Sequence, residues 1–101
     1  MAIYPKKFIS ENPITTNGFW KGSTNLEGRI RQVIVQPKSP DTLYNFGIKD
    51  EDDFTCFIRQ NVRGLLVADN LSIIIMPGEK SLIIEEATRD ESFSIKIVYQ
   101  L

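Results

Sequence analysis

The side chains that carry most enzyme chemistry are scarce in this chain, and the scarcity bounds what it can do. Its 101 residues include no histidine, which removes Ser-His-Asp and Cys-His arrangements and two-histidine metal sites. Cys56 is the single cysteine. It can form neither an intramolecular disulfide nor a cysteine-rich zinc site, and its neighbours Phe54, Phe57 and Ile58 predict a buried thiol that behaves as a small apolar group. The six glycines are dispersed, so no phosphate-cradling loop is present. The best metal candidate is the acidic run Asp50-Glu51-Asp52-Asp53, in which Asp50, Asp52 and Asp53 could offer oxygens to calcium. The run lacks the alternating ligand spacing of an EF-hand loop, and a solvated turn is the simpler account. Acid–base catalysis would need one of these carboxyls raised inside a cleft, which an exposed tight turn rarely provides; Asp- and Glu-based catalysis stays formally open. The chain is therefore read as a non-enzyme with no cofactor.

Binding chemistry is more open. Arg59 and Arg63 flank Gln60-Asn61-Val62, but the net charge is −1 and the lysines and arginines are scattered among acids. No basic face is visible, which argues against a nucleic-acid partner. Tyr4, Phe8, Phe19 and Trp20 lie in a segment without a clean strand pattern. Aromatics so placed suit contacts between subunits or with a larger partner. Exposed, they would also suit a sugar platform, although a lone tryptophan more commonly fills a core or a subunit contact.

The elements that must position these residues read as strands. Phe93, Ile95, Ile97 and Tyr99 alternate with Ser94, Lys96 and Gln100, with Val98 the exception on the polar side. Tyr44, Phe46 and Ile48 alternate in the same way with Asn45, Gly47 and Lys49. Ile30–Gln36, Phe54–Arg59, Leu71–Met76 and Leu82–Ala87 are further strands, and short ones are expected near Gly64–Val67 and Gly18–Lys21. Turns are expected at Pro37–Asp41, Asp50–Asp53, Asp69-Asn70 and Pro77-Gly78, and Thr88–Glu91 is expected to close the last hairpin. No window of helical length carries an apolar stripe.

This spacing predicts an all-β fold: an antiparallel β-sandwich, jelly-roll or Ig-like, of about 7–8 short strands. Residues 28–101 form the sandwich domain. Residues 1–27, with Pro5 and Pro13, form an N-terminal arm. That arm either folds as an edge strand on its own domain or packs on a neighbouring subunit. Removing residues 1–17 is expected to leave the sandwich folded. Lys6 and Lys7 are followed by no apolar run, so no signal peptide is read, and Leu71–Met76 is far shorter than the roughly 20 residues of a membrane helix. The lack of disulfides fits a cytosolic folding environment.

One stretch carries a resemblance. Gly28-Arg29-Ile30-Arg31-Gln32-Val33-Ile34-Val35-Gln36-Pro37, leading into Thr42-Leu43-Tyr44-Asn45-Phe46-Gly47-Ile48-Lys49-Asp50-Glu51-Asp52, resembles the first half of small virion structural proteins of tailed bacteriophages. Ala87–Phe93 and the final strand to Leu101 are similar as well. Asn45 replaces an acidic residue usual after the tyrosine, and Asp53 stands where a glycine is common. The resemblance covers roughly residues 18–101 and transfers no functional residues. It implies a virion subunit made in the host bacterial cytoplasm, most simply a capsid decoration (cement) protein. A neck, tail or baseplate subunit is the alternative within that family, and a carbohydrate-binding module the alternative outside it. The partners so implied are the major capsid protein or other virion proteins, and further copies of this chain, with a trimer among the arrangements allowed. Tyr4, Phe8, Phe19 and Trp20 are the expected partner contacts.

Overall fold

The structure, a computed structural model, describes residues 6–101. Among them are seven strands and no helix: β1 (Lys6–Glu11), β2 (Trp20–Pro37), β3 (Leu43–Lys49), β4 (Thr55–Arg63), β5 (Leu66–Ala68), β6 (Ile73–Glu85) and β7 (Phe93–Gln100). All pairings are antiparallel. The sheet order is β1-β7-β2-β6-β3-β4, with β5 paired to β2.

The organising element is β2, whose 18 residues serve two flanks. Its first part, Trp20 to Ile30, pairs with β6, and its second part, Arg29 to Pro37, pairs with β7. A straight strand from Gly18 to Lys38 would run about 66 Å at ~3.3 Å per residue, longer than the molecule's greatest extent of 45 Å. The two ends are in fact drawn together. The Gly18 carbonyl accepts from Ala87 N at 2.9 Å and Lys38 N donates to the Ser92 carbonyl at 3.0 Å, and five residues of chain span at most about 18 Å. The bend falls where the register shifts, at Leu26/Gly28 against β6 and at Ile30/Gln32 against β7, because an extra residue on one strand kinks it and raises its twist.

The result is one sheet curled into a half-barrel. One flank is β4-β3-β6 with the start of β2; the other is β1-β7 with the end of β2 and β5. Each inward row is apolar. Tyr44, Phe46 and Ile48 on β3 and Phe93, Ile95 and Ile97 on β7 are all buried, and the Tyr44 and Phe93 rings meet edge to face at 5.2 Å and 80°. Val98, the apolar exception on the outer side of β7, lies opposite Phe8 of β1 and is half covered.

Several expectations need correcting. Leu71–Met76 and Leu82–Ala87 are not separate strands about a Pro-Gly turn; β6 runs through Pro77-Gly78. Met76 and Pro77 together oppose the single Glu27 of β2, because Leu26 pairs Gly78 and Gly28 pairs Ile75. Proline lacks the N–H that a regular ladder would require, and glycine takes the φ of +144°. Lys80, only 2% exposed, holds this bulge by donating from Nζ to the Met76 and Gly78 carbonyls at 2.8 and 3.2 Å. Thr88–Glu91 closes no hairpin, since β6 and β7 flank β2 on opposite sides. Strands β2 and β6 are long rather than short.

The division at residue 28 falls inside β2. Residues 6–11 pair along their whole length with β7 of their own chain. Pro13 and Thr15 are buried, and Thr15 Oγ1 donates to the Arg89 carbonyl at 3.1 Å. Removing residues 1–17 would therefore uncover β7 rather than trim a free arm.

Candidate functional site

The expected contact residues do not converge. Tyr4 lies outside the described residues. Phe8 points outward from β1 and is 59% exposed. Phe19 is also exposed and follows a tight turn in which Thr16 and Phe19 exchange backbone hydrogen bonds at 3.0 and 3.1 Å. Asn17 and Gly18 take φ of 55° and 77°, as a two-residue hairpin turn demands. Asp90 fixes this turn by accepting from the Asn17 and Gly18 N–H groups at 3.0 and 2.8 Å. Trp20 is half-buried against the core, and its indole lies across Gly22, where any Cβ would strike the ring. One face of the ring is thus covered by its own backbone. Phe8 and Phe19 belong to different flanks.

The acidic turn is tied by its own backbone. Asp50 Oδ1 accepts from both Asp52 N and Phe54 N at 2.9 Å, and Glu51 Oε1 accepts from Glu79 N at 3.0 Å. Asp53 lies 3.5 Å from Lys49 Nζ. Among the described residues no three His, Cys, Asp or Glu side chains come together to hold a metal. Cys56 is half-buried, as expected in part; burial pushes its thiol pKa up, Asp50 adds to this and Lys80 opposes it. Arg59 lies over the Phe57 ring at 4.5 Å.

Two outer surfaces have distinct chemistry. On the first flank, Gly47 leaves a depression of about 180 Å³ between its cross-strand neighbours Ile58 and Ile83, rimmed by Asn45, Lys49, Gln60 and Glu85. It has the size of one side chain. On the second flank, three rows cross the sheet. Lys6, Gln100, Arg29 and Ile74 form the first; Phe8, Val98 and Gln32 the second; Ser10, Lys96, Ile34 and Val67 the third. The alternate rows, such as Ile9-Ile97-Val33-Ala68, line the core, so these three face outward. Arg31, the extra residue of the bulge, lines one hollow with Lys6, Gln32 and Val98. Lys6, Arg29, Arg31 and Lys96 thereby share a surface whose rows contain no acid, and Asp69 lines the same hollow as Lys6 and Arg31.

The sequence shows no basic face because these cations sit on three strands far apart in the chain; the sheet assembles one. The exposed apolar side chains Phe8, Val67 and Ile74 are interleaved with it. Such a surface can hold a partner that is acidic and partly apolar. Compared with known proteins, the chain matches no family model and no curated protein.

Proposed function

We propose that this chain is a non-enzymatic virion structural protein of the tailed-phage type, a capsid decoration subunit that binds the major capsid lattice and reinforces it. The observation that carries the reading is the second flank's outer face, where exposed apolar side chains are regularly interleaved with cations. Phe8, Val67 and Ile74 are exposed across this face, and a subunit that docks there would bury them. Rigidity supports the same reading, since the turns are fixed by Asp50 and Asp90 rather than left loose. The curled sheet suits the sandwich or jelly-roll class that the resemblance implies, with β2 as the corner strand passing between layers.

The test is co-sedimentation of the purified chain with expanded capsids of the phage that encodes it. The chain is expected in the pellet at stoichiometric occupancy, and Phe8→Glu is expected to weaken binding at least ~10-fold, the scale of a lost anchor residue, while melting as the parent does. Failure of the parent chain to pellet at about 100 times the capsid-site concentration overturns the proposal.

A further inference from the structure

The turn before β2 carries a chemistry that the fold does not use. Among the asparagines, at positions 12, 17, 25, 45, 61 and 70, only Asn17 precedes a glycine. An asparagine carboxamide is open to attack by the backbone nitrogen of the next residue, and glycine has no side chain to obstruct the approach. Asn12 precedes Pro13, whose nitrogen has no proton to give up. Asn17 is exposed, and Gly18 is buried behind it. The nitrogen that would attack is the one whose N–H Asp90 Oδ1 accepts at 2.8 Å, while Oδ2 accepts from Asn17 N at 3.0 Å. We infer that Asn17-Gly18 is a site of spontaneous succinimide formation, and that Asp90 latches it shut by keeping the Gly18 N–H engaged.

The bond that forms joins Gly18 N to Asn17 Cγ. The bond that breaks is Cγ–Nδ2, and ammonia leaves with the proton that Gly18 gives up. Water then opens the ring at one of its two carbonyls, leaving aspartate or, with the backbone lengthened by one carbon, isoaspartate. Neither step needs an oxidant or a cofactor. The nitrogen must lose its proton to attack, and in the folded chain that proton lies in a hydrogen bond to a carboxylate whose charge also opposes the amide anion. Giving up this bond slows the step ~10- to 100-fold, about 1.4–2.7 kcal/mol. The surrounding turn has other anchors: Ala87 N donates to the Gly18 carbonyl at 2.9 Å and Thr15 N to the Glu91 carbonyl at 3.1 Å. Loss of Asp90 therefore opens the latch without dismantling the turn. Ring closure itself is one-way. The imide nitrogen has no proton, so Asp90 loses its donor, and hydrolysis sets a second carboxylate in the turn. In the isoaspartate form the added carbon also breaks the two-residue spacing on which the Thr16–Phe19 hydrogen bonds rest.

The test incubates the full chain at neutral pH and physiological temperature and follows residues 8–21, which trypsin releases between Lys7 and Lys21, by mass spectrometry. Replacement of the amide by a carboxyl is read from the mass gain, and isoaspartate from its separate elution. The folded parent is expected to convert at least ~10-fold more slowly than the same chain unfolded in urea, and folded Asp90→Ala ~10- to 100-fold faster than the folded parent. Asp90→Asn keeps one carbonyl acceptor and is expected between the two. Asn17→Gly, which suits the φ of 55°, is expected to show no gain in this peptide. Thermal melts check that each variant folds. Hydrogen exchange in the parent gives a readout that needs no variant, since the Gly18 N–H is expected to be protected. Equal rates in the folded parent and folded Asp90→Ala overturn the latch, and so does a Gly18 N–H that exchanges as in the unfolded chain. Slower conversion in Asp90→Ala overturns it too, because the carboxylate would then be acting as the base. An unfolded chain that does not convert overturns the site itself.

Discussion

Tyr44→Phe removes a single oxygen from the place where the two flanks meet. The side chain is 1% exposed, and its hydroxyl donates to the Gly64 carbonyl at 2.6 Å, with the Val35 carbonyl at 3.3 Å. The ring and its edge-to-face contact with Phe93 are kept, so nothing but the hydrogen bond is lost. A buried hydrogen bond contributes about 0.5–1.5 kcal/mol net, and a buried carbonyl left without its donor costs about 1–3 kcal/mol. The variant should lose about 2 kcal/mol, which for a domain of this size lowers Tm by roughly 8–16 °C. Tyr99→Phe, on the same sheet but half-exposed, should stay within about 0.5 kcal/mol.

The same burial supplies a second, independent readout. It pushes the Tyr44 hydroxyl well above the ordinary phenol value, so the folded chain keeps it protonated where the unfolded chain ionises. A pKa raised by folding gives stability that is complete below the unfolded value, about 10, and is lost as pH rises beyond it. The parent therefore loses about 1.4 kcal/mol between pH 7 and 11, most of it above pH 10, that Tyr44→Phe does not lose. Urea unfolding of both proteins should show a gap of about 2 kcal/mol at pH 7 shrinking to under ~1 kcal/mol at pH 11. A gap below ~0.5 kcal/mol at pH 7, or one that stays constant to pH 11, would refute the buried, neutral phenol.

Glu91 gives the acid-side counterpart. Desolvation alone would raise its carboxyl, but donors from Ser39 N at 2.6 Å and Thr42 Oγ1 at 3.1 Å, with the Arg89 charge, hold it below the ordinary range. Its contribution is thus present above about pH 4.3 and lost as pH falls through the folded value. Glu91→Gln should cost about 1 kcal/mol at pH 7, and its thermal melt should merge with the parent's toward pH 3. Gly28, at φ +85°, sits where a Cβ would collide with the Gln100 carbonyl, so Gly28→Ala should destabilise by about 2 kcal/mol or more in urea unfolding. Gly47 is not at positive φ, and a Cβ there meets only the Phe57 carbonyl at 3.6 Å. Gly47→Ala should be neutral or stabilising by up to ~1 kcal/mol, leaving most of the outer depression open.

What was legible in the sequence was local. Period-two alternation named the inward rows of β3 and β7 correctly because each residue's face is set by its own neighbours. Asn17-Gly18 is a strong hairpin signal, but with no apolar run on either side it blends into what reads as a long arm. Gly22-Ser23-Thr24-Asn25 falls in the stretch that reads as an arm, yet it is paired with β6 throughout. A strand that leans on a partner distant in sequence needs little propensity of its own. Pro77-Gly78 has the same local chemistry in a turn and in a bulge, and the choice is made by Leu26 and Gly28 some fifty residues away. Of the contact residues, the exposure of Phe8 and Phe19 matches aromatics outside a regular pattern. Trp20 does not follow suit because Gly22, two residues on, leaves a bare strip of backbone for its ring to cover.

The basic face shows why a site of this kind escapes a reading along the chain. Its cations come from residues 6, 29, 31 and 96, and no window of the sequence holds more than two of them. Pairing of β1 and β2 to the two sides of β7 brings Lys6 and Arg29 into one row through Gln100. The bulge at Ile30/Gln32 then does two things at once. It bends β2, so that the flanks can close on the core, and it adds Arg31 to the hollow already lined by Lys6, Gln32 and Val98. In a regular strand Arg31 would follow Ile30 and alternate with it, and Gln32 would turn toward the core in the place that Val33 fills. The kink that allows the core to form is therefore also what concentrates charge on the outer face, and a change that straightened β2 would remove the fold and the basic face together.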